Sequence, residues 1–151
     1  MAMLILLNLL GCQKTPEDED VVGLSISCTH MVYAYSYSFS IYIKNDVTYF
    51  SCMCAIDKEN DKYKMVTCKN VEIDSKYFYQ LKDILKENNI TEEVLKSKKK
   101  MDLFFVRDKT TYNISLTFKN DKYKSALLHF DEVYEFLKHL AGIYATEVTY
   151  E

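Results

Sequence analysis

The sequence predicts an α+β domain: an antiparallel β-sheet of about six to seven strands in hairpins, with two main helices packed on one face. Two observations lead there. Along residues 33–44, Tyr33, Tyr35, Tyr37, Phe39, Ile41 and Ile43 alternate with Ala34, Ser36, Ser38, Ser40, Tyr42 and Lys44. Strict period-two alternation makes a long, half-buried antiparallel strand. Two later segments instead repeat apolar residues every three to four positions, as helices with one buried stripe do.

The elements follow in order. Residues 21–28 read as a strand, with a turn near Thr29 and His30 before the alternating strand. Asn45-Asp46 and Asn60-Asp61 turn the chain into strands over 47–56 and 63–73. Asn and Asp suit such corners because they tolerate the left-handed region and bond their own backbone. They are needed here, since the only glycine after Gly23 is Gly142. Asp74 or Ser75 can cap a helix to about Glu87, striped by Tyr77, Phe78, Leu81, Ile84 and Leu85. Thr91 is placed to cap a short helical turn through Lys96.

Residues 103–106 form a compact apolar strand, and Tyr112, Ile114, Leu116 and Phe118 alternate on another. A turn at Asn120-Asp121 leads to a strand over 123–128. Asp131 is the expected cap of a last helix to about Tyr144, burying Val133, Tyr134, Phe136, Leu137, Leu140 and Ile143. The pentapeptide Asn-Asp-Lys-Tyr-Lys occurs at 60–64 and again at 120–124. It marks either two related strand–strand–helix units or a coincidence in a compositionally biased chain.

The N-terminus has a different character. Met3-Leu4-Ile5-Leu6-Leu7 leads to Leu9-Leu10-Gly11-Cys12, and Gln13-Lys14-Thr15-Pro16-Glu17-Asp18-Glu19-Asp20 follows without one apolar side chain. The apolar segment is shorter than the roughly 20 residues a membrane-spanning helix needs. Leu9-Leu10-Gly11-Cys12 resembles the lipobox of bacterial lipoproteins, although no Lys or Arg precedes Cys12 and Asn8 interrupts the run. With its Lys, Asn, Tyr and Ile bias, the chain is similar to small lipoproteins of low-G+C Gram-positive bacteria. The resemblance implies a cleaved signal at 1–11, a lipidated Cys12 with an acidic tether to residue 20, and one domain over 21–151. It also implies a place on the outer face of the cytoplasmic membrane, held by the lipid. No functional motif comes with it.

Charge narrows the partners. Of 22 acids and 19 bases, four acids and one base lie in the tether, so residues 21–151 balance at 18 of each. A neutral body lacks the clustered cations that bind phosphate, which argues against nucleic acid as a partner. Lys96, Lys98, Lys99 and Lys100 form one local cluster, either a solvated loop or a patch attracted to an anionic surface.

Beyond Cys12, the cysteines are Cys28, Cys52, Cys54 and Cys68. Ordinary buried thiols and disulfides both remain open, whereas zinc lacks a nearby His and the usual Cys-x-x-Cys spacing. If residue 56 faces 64 across the hairpin, Cys52 faces Cys68, with Cβ atoms about 4.5–5.5 Å apart. A slip of two residues puts Cys54 opposite Cys68 instead. Cys52, Cys54 and Cys68 are therefore the disulfide candidates.

Catalytic signals are sparse. The histidines are His30, His129 and His139, and neither a nucleophile elbow nor a phosphate-cradling glycine loop is present. No cofactor or metal is implied. The 13 tyrosines offer more. Tyr33, Tyr35 and Tyr37 make an aromatic ladder that serves either as core packing or, at its Tyr33 end, as a contact surface. The expectation is a non-catalytic, anchored binding module for a protein, peptide or glycan. The alternative is an extracytoplasmic hydrolase or accessory enzyme, recognised by a cleft where His129 or His30 meets a carboxylate or hydroxyl.

Overall fold

A computed structural model describes residues 16–32, 35–56, 64–97 and 110–148. Seven strands form one antiparallel sheet: β1 (Val21–Thr29), β2 (Tyr37–Lys44), β3 (Val47–Ile56), β4 (Lys64–Ile73), β5 (Thr111–Phe118), β6 (Tyr123–Ala126) and β7 (Thr146–Glu147). Their spatial order is β6-β5-β1-β2-β3-β4-β7. Three α-helices accompany the sheet among the described residues: α1 (Lys76–Glu87), α2 (Ile90–Lys96) and α3 (Asp131–Tyr144). The predicted α+β class is what forms.

Corner chemistry sets the sheet. Asn45 and Asp46 both take positive φ, 52° and 63°, which is the two-residue hairpin turn whose twist matches its strands. Lys44 consequently pairs with Val47, and Ile41 with Phe50. Asp121, at φ 59°, supplies a left-handed residue to the longer β5–β6 corner. On β4 the register shifts between the pairs Phe50–Val71 and Cys52–Cys68. The extra residue belongs to β4, where Asn70 adopts φ 51°. This bulge lets Val66 and Ile73, an odd number of positions apart, both bury on one face.

That face is the core. Leu24, Ile26, Phe39, Ile41, Phe50, Ile114 and Leu116 are all buried there, joined by Phe78, Leu81 and Leu85 of α1. Ile90 and Val94 of α2 and Val133, Leu137 and Leu140 of α3 belong to the same cluster. Tyr134 of α3 sits with its ring 4.8 Å from Tyr37 and 6.1 Å from Phe39, which places α3 over that face of β2. Fully burying such side chains contributes about 1.5–3 kcal/mol each. Ser75 holds the cap position of α1, and the carboxylate of Asp74 just before it accepts from Lys76 N at 2.9 Å. That bond holds the Asp74 carboxyl below the usual range.

Several expectations are corrected. The alternating strand starts at Tyr37, not residue 33, because a loop precedes it. Ser36 Oγ accepts from His30 N and donates to His30 O, and Tyr35 N donates to Val32 O. Asn89, at φ 52°, takes the cap position of α2, while Thr91 is buried within the helix and its hydroxyl has no partner among the described residues. Asp131 is the first residue of α3 and not its cap, since its carboxylate is engaged by His129. Ile143 is about half exposed, pointing away from the stripe. β6 ends at Ala126, and β7, too short to carry a pattern, pairs with Val66 and Thr67 of β4. The expected strand at 103–106, the Asn60-Asp61 turn, the first copy of the pentapeptide up to residue 63, Tyr33 and Cys12 lie outside the described residues.

Candidate functional site

The second face of the sheet carries small and polar side chains. Ser125, Ser115, Ser25, Ser40 and Ser51 stand opposite one another on five adjacent strands. The strands that carry them lie about 4.7–4.9 Å apart. Ser115 and Ser125 hydrogen-bond at 2.6 Å. At the far end Ser51 Oγ donates to Asn70 Oδ1 at 3.1 Å and accepts from Asn70 N at 2.8 Å. The β4 bulge thus carries Asn70 into the end of the serine row.

The neighbouring row gives this face its relief. Thr117, Gly23, Tyr42 and Tyr49 are paired in succession across β5, β1, β2 and β3. Tyr42 and Tyr49 stack with ring centroids 5.3 Å apart and planes 26° apart. The Tyr42 hydroxyl donates to Asn70 Oδ1 at 3.5 Å. A Cβ on Gly23 would come within 3.2 Å of Tyr42 Cβ and 3.4 Å of Thr117 Cβ, so glycine leaves a notch between them. Two open hollows lie on this face. One of about 420 Å³ runs along Ser25, Ser27, Ser38, Ser40, Ser51 and Lys69. The other, about 440 Å³, is bounded by Gly23, Ser25, Ser40, Tyr42, Lys44 and Asp121.

A second polar group gathers at one end of the core face. His129 Nε2 lies 2.9 Å from Asp131 Oδ1, and its Nδ1 lies 3.2 Å from the Tyr37 hydroxyl. A carboxylate only accepts, so Nε2 carries the proton and Tyr37 donates to Nδ1. Tyr112 covers the imidazole at 4.4 Å. Burial, the largest cause, raises the Tyr37 phenol above its usual range, and nearby Cys28 and Tyr112 act in the same direction. This constellation meets half of the criterion for a hydrolase, a histidine with carboxylate and hydroxyl partners. Tyr37 as a whole is nevertheless only 9% exposed and lines neither hollow, so its hydroxyl is poorly placed as a nucleophile. His30 has a local role, its Nδ1 accepting from Val32 N at 3.0 Å.

The thiols fall in the unslipped register. Ile56 faces Lys64, Cys54 faces Val66 and Cys52 faces Cys68. The Sγ atoms of Cys52 and Cys68 are 3.4 Å apart. Burial pushes the Cys68 thiol up to about 12. The hydrogen bond from Cys52 lowers Cys54, against the effect of burial and with help from the Lys138 charge. Among the described residues, no group of three or more His, Cys, Asp or Glu is placed to hold a metal ion.

Of the expected aromatic surface, Tyr35 is half exposed, whereas Tyr37 is buried against Tyr134 and Phe39. A half-buried aromatic pair, Tyr42 and Tyr49, belongs to the opposite face. Its trace in the sequence is faint: Tyr42 falls among the serines of the alternating strand, and nothing local reveals that Tyr49 lies beside it. No family model, no curated protein and no solved structure matches this chain.

Proposed function

We propose that this chain is a membrane-anchored binding module on the outer face of the cytoplasmic membrane, lipidated at Cys12, and that it engages a hydroxyl-rich ligand of the glycan class on its open sheet face. The observation that carries the binding reading is the stacked Tyr42–Tyr49 pair beside the Ser25–Ser40–Ser51 row. Aromatic faces pack against the apolar side of a sugar ring, and closely spaced hydroxyls and the Asn70 amide exchange hydrogen bonds with its hydroxyls. The balanced charge of residues 21–151 suits a neutral ligand better than a polyanion. The apolar segment ending at Cys12 and the acidic stretch after it support the anchor.

The test is a titration of the soluble domain against an oligosaccharide panel, read by tyrosine fluorescence, since the chain has no tryptophan. Tyr42→Ala and Tyr49→Ala are each expected to weaken binding about tenfold, equivalent to about 1.4 kcal/mol. Binding that survives both substitutions unchanged would remove this surface from the reading. The hydrolase alternative is favoured by one observation, the Tyr37–His129–Asp131 chain of hydrogen bonds. Substrate turnover abolished by His129→Ala would favour it.

A further inference from the structure

Three thiols converge where β3 and β4 pass beneath α3. Cys52 and Cys68 are directly opposed, with sulfurs 3.4 Å apart, and Cys54 lies two residues from Cys52 on the same face. Cys28, the other described cysteine, belongs to β1, opposite Tyr37 of β2 and Tyr112 of β5. A disulfide needs the two sulfurs near 2.05 Å, so closure asks for roughly 1.4 Å of approach. The neighbouring bulge supplies a local irregularity able to absorb such a movement, because the register already shifts between Phe50 and Cys52. Cys68 is also the one partly exposed member of the three, while Cys52 and Cys54 are buried.

We propose that Cys52 and Cys68 form a redox site: a small hydroperoxide oxidises the pair to a cross-strand disulfide, with Cys54 as the proton acceptor for Cys52. The oxidant meets Cys68 first. Its sulfur attacks one peroxide oxygen, the O–O bond breaks, and water leaves with the thiol proton, giving a sulfenic acid at Cys68. The Cys52 sulfur then attacks the Cys68 sulfur as its proton passes to Cys54. The S–S bond forms as the S–O bond breaks, and the departing hydroxide takes the proton from Cys54 as water. Two thiols and one hydrogen peroxide become one disulfide and two waters. The Cys52 thiol, itself raised, donates the hydrogen bond that lowers Cys54 with help from the Lys138 charge, so the proton is already shared along the path it takes as the Cys52 sulfur attacks. The resulting bond would tie β3 to β4 beside Ser51 and Asn70, the end of the serine row. This site is independent of the ligand proposed above.

The experiment uses the reduced, folded protein treated with stoichiometric hydrogen peroxide, quenched by alkylation and mapped by non-reducing peptide analysis. A Cys52–Cys68 bond is expected, with Cys28 and Cys54 recovered as thiols. Recovery of Cys68 as a free thiol, or its over-oxidation beside a free Cys52, would overturn the pairing. So would a bond from Cys68 to Cys54. Cys54→Ala is expected to slow closure at least threefold, and an unchanged rate would reject Cys54 as the acceptor. Should that variant fold poorly, Lys138→Gln tests the same step from the helix surface. It too is expected to slow closure, and no change would count against the acceptor role.

Discussion

The Tyr37 hydroxyl donates to Nδ1 of His129 at 3.2 Å, fastening β2 to the start of α3 across 92 residues of sequence. Asp131 holds the other imidazole nitrogen at 2.9 Å, so the ring has one tautomer and one orientation. The burial that raises the Tyr37 phenol also keeps it protonated over the whole neutral range. A protonated phenol is a permanent donor, which suits a fastening better than a nucleophile.

Tyr37→Phe therefore removes one partly buried hydrogen bond and leaves the ring packing in place. The expected cost is about 1 kcal/mol, seen in urea as a lower midpoint with an unchanged slope. Ligand titration should match the parent protein, because Tyr37 belongs to the core face and the hollows to the other. A variant that keeps full stability would show that the hydrogen bond contributes nothing.

Asn70 and Gly23 tie backbone geometry to the open face. At φ 51°, Asn70 occupies the left-handed region, which costs most other residues roughly 1–2 kcal/mol and glycine almost nothing. Asn70→Ala is expected to destabilise by about 1 kcal/mol more than Asn70→Gly, while both release Tyr42 and weaken ligand binding. Gly23→Ala presses a methyl to 3.2 Å from Tyr42 Cβ, so the strand pair must give by a few tenths of an ångström. An overpacking cost of about 1 kcal/mol and a shifted Tyr42–Tyr49 pair follow. Equal urea midpoints for Asn70→Ala and Asn70→Gly would refute the backbone argument.

These positions also show where the sequence ceased to be legible. The serine and aromatic sides of residues 37–44 could be read directly, because a strand sorts its side chains by parity. The Cys52–Cys68 pairing followed from one assumed hairpin register. What parity cannot give is the bulge at Asn70, since one extra residue reverses the faces of everything beyond it. Likewise Ser115 and Ser125 reach the row of Ser25 and Ser40 only because β5 pairs with β1, a long-range choice with no local mark. The His129–Asp131 bond was hidden for another reason. An acidic residue at a helix start reads first as a cap, and only the placement of Tyr37 on the other imidazole nitrogen reveals its orienting role.

The proposed N-terminal anchor makes two separable demands on the chain. Cys12→Ala should release the protein from the membrane fraction and abolish labelling by a fatty-acid analogue, and labelling that persists would exclude lipidation at Cys12. The segment after it is not a pure tether, however. None of Asp18–Asp20 is buried, yet Lys119 N donates to Asp20 O at 2.9 Å and Lys82 Nζ donates to Glu19 O at 3.1 Å. Lys119 Nζ also lies 3.9 Å from an Asp20 carboxylate oxygen, an exposed pair worth about 0–1 kcal/mol. A domain beginning at Pro16 should therefore keep the stability of the longer chain. One beginning at Val21 should fold but lose about 1–2 kcal/mol, chiefly through the two backbone-carbonyl bonds. Identical unfolding midpoints for the two truncations would mean that residues 16–20 only carry the domain away from the bilayer and do not secure its edge.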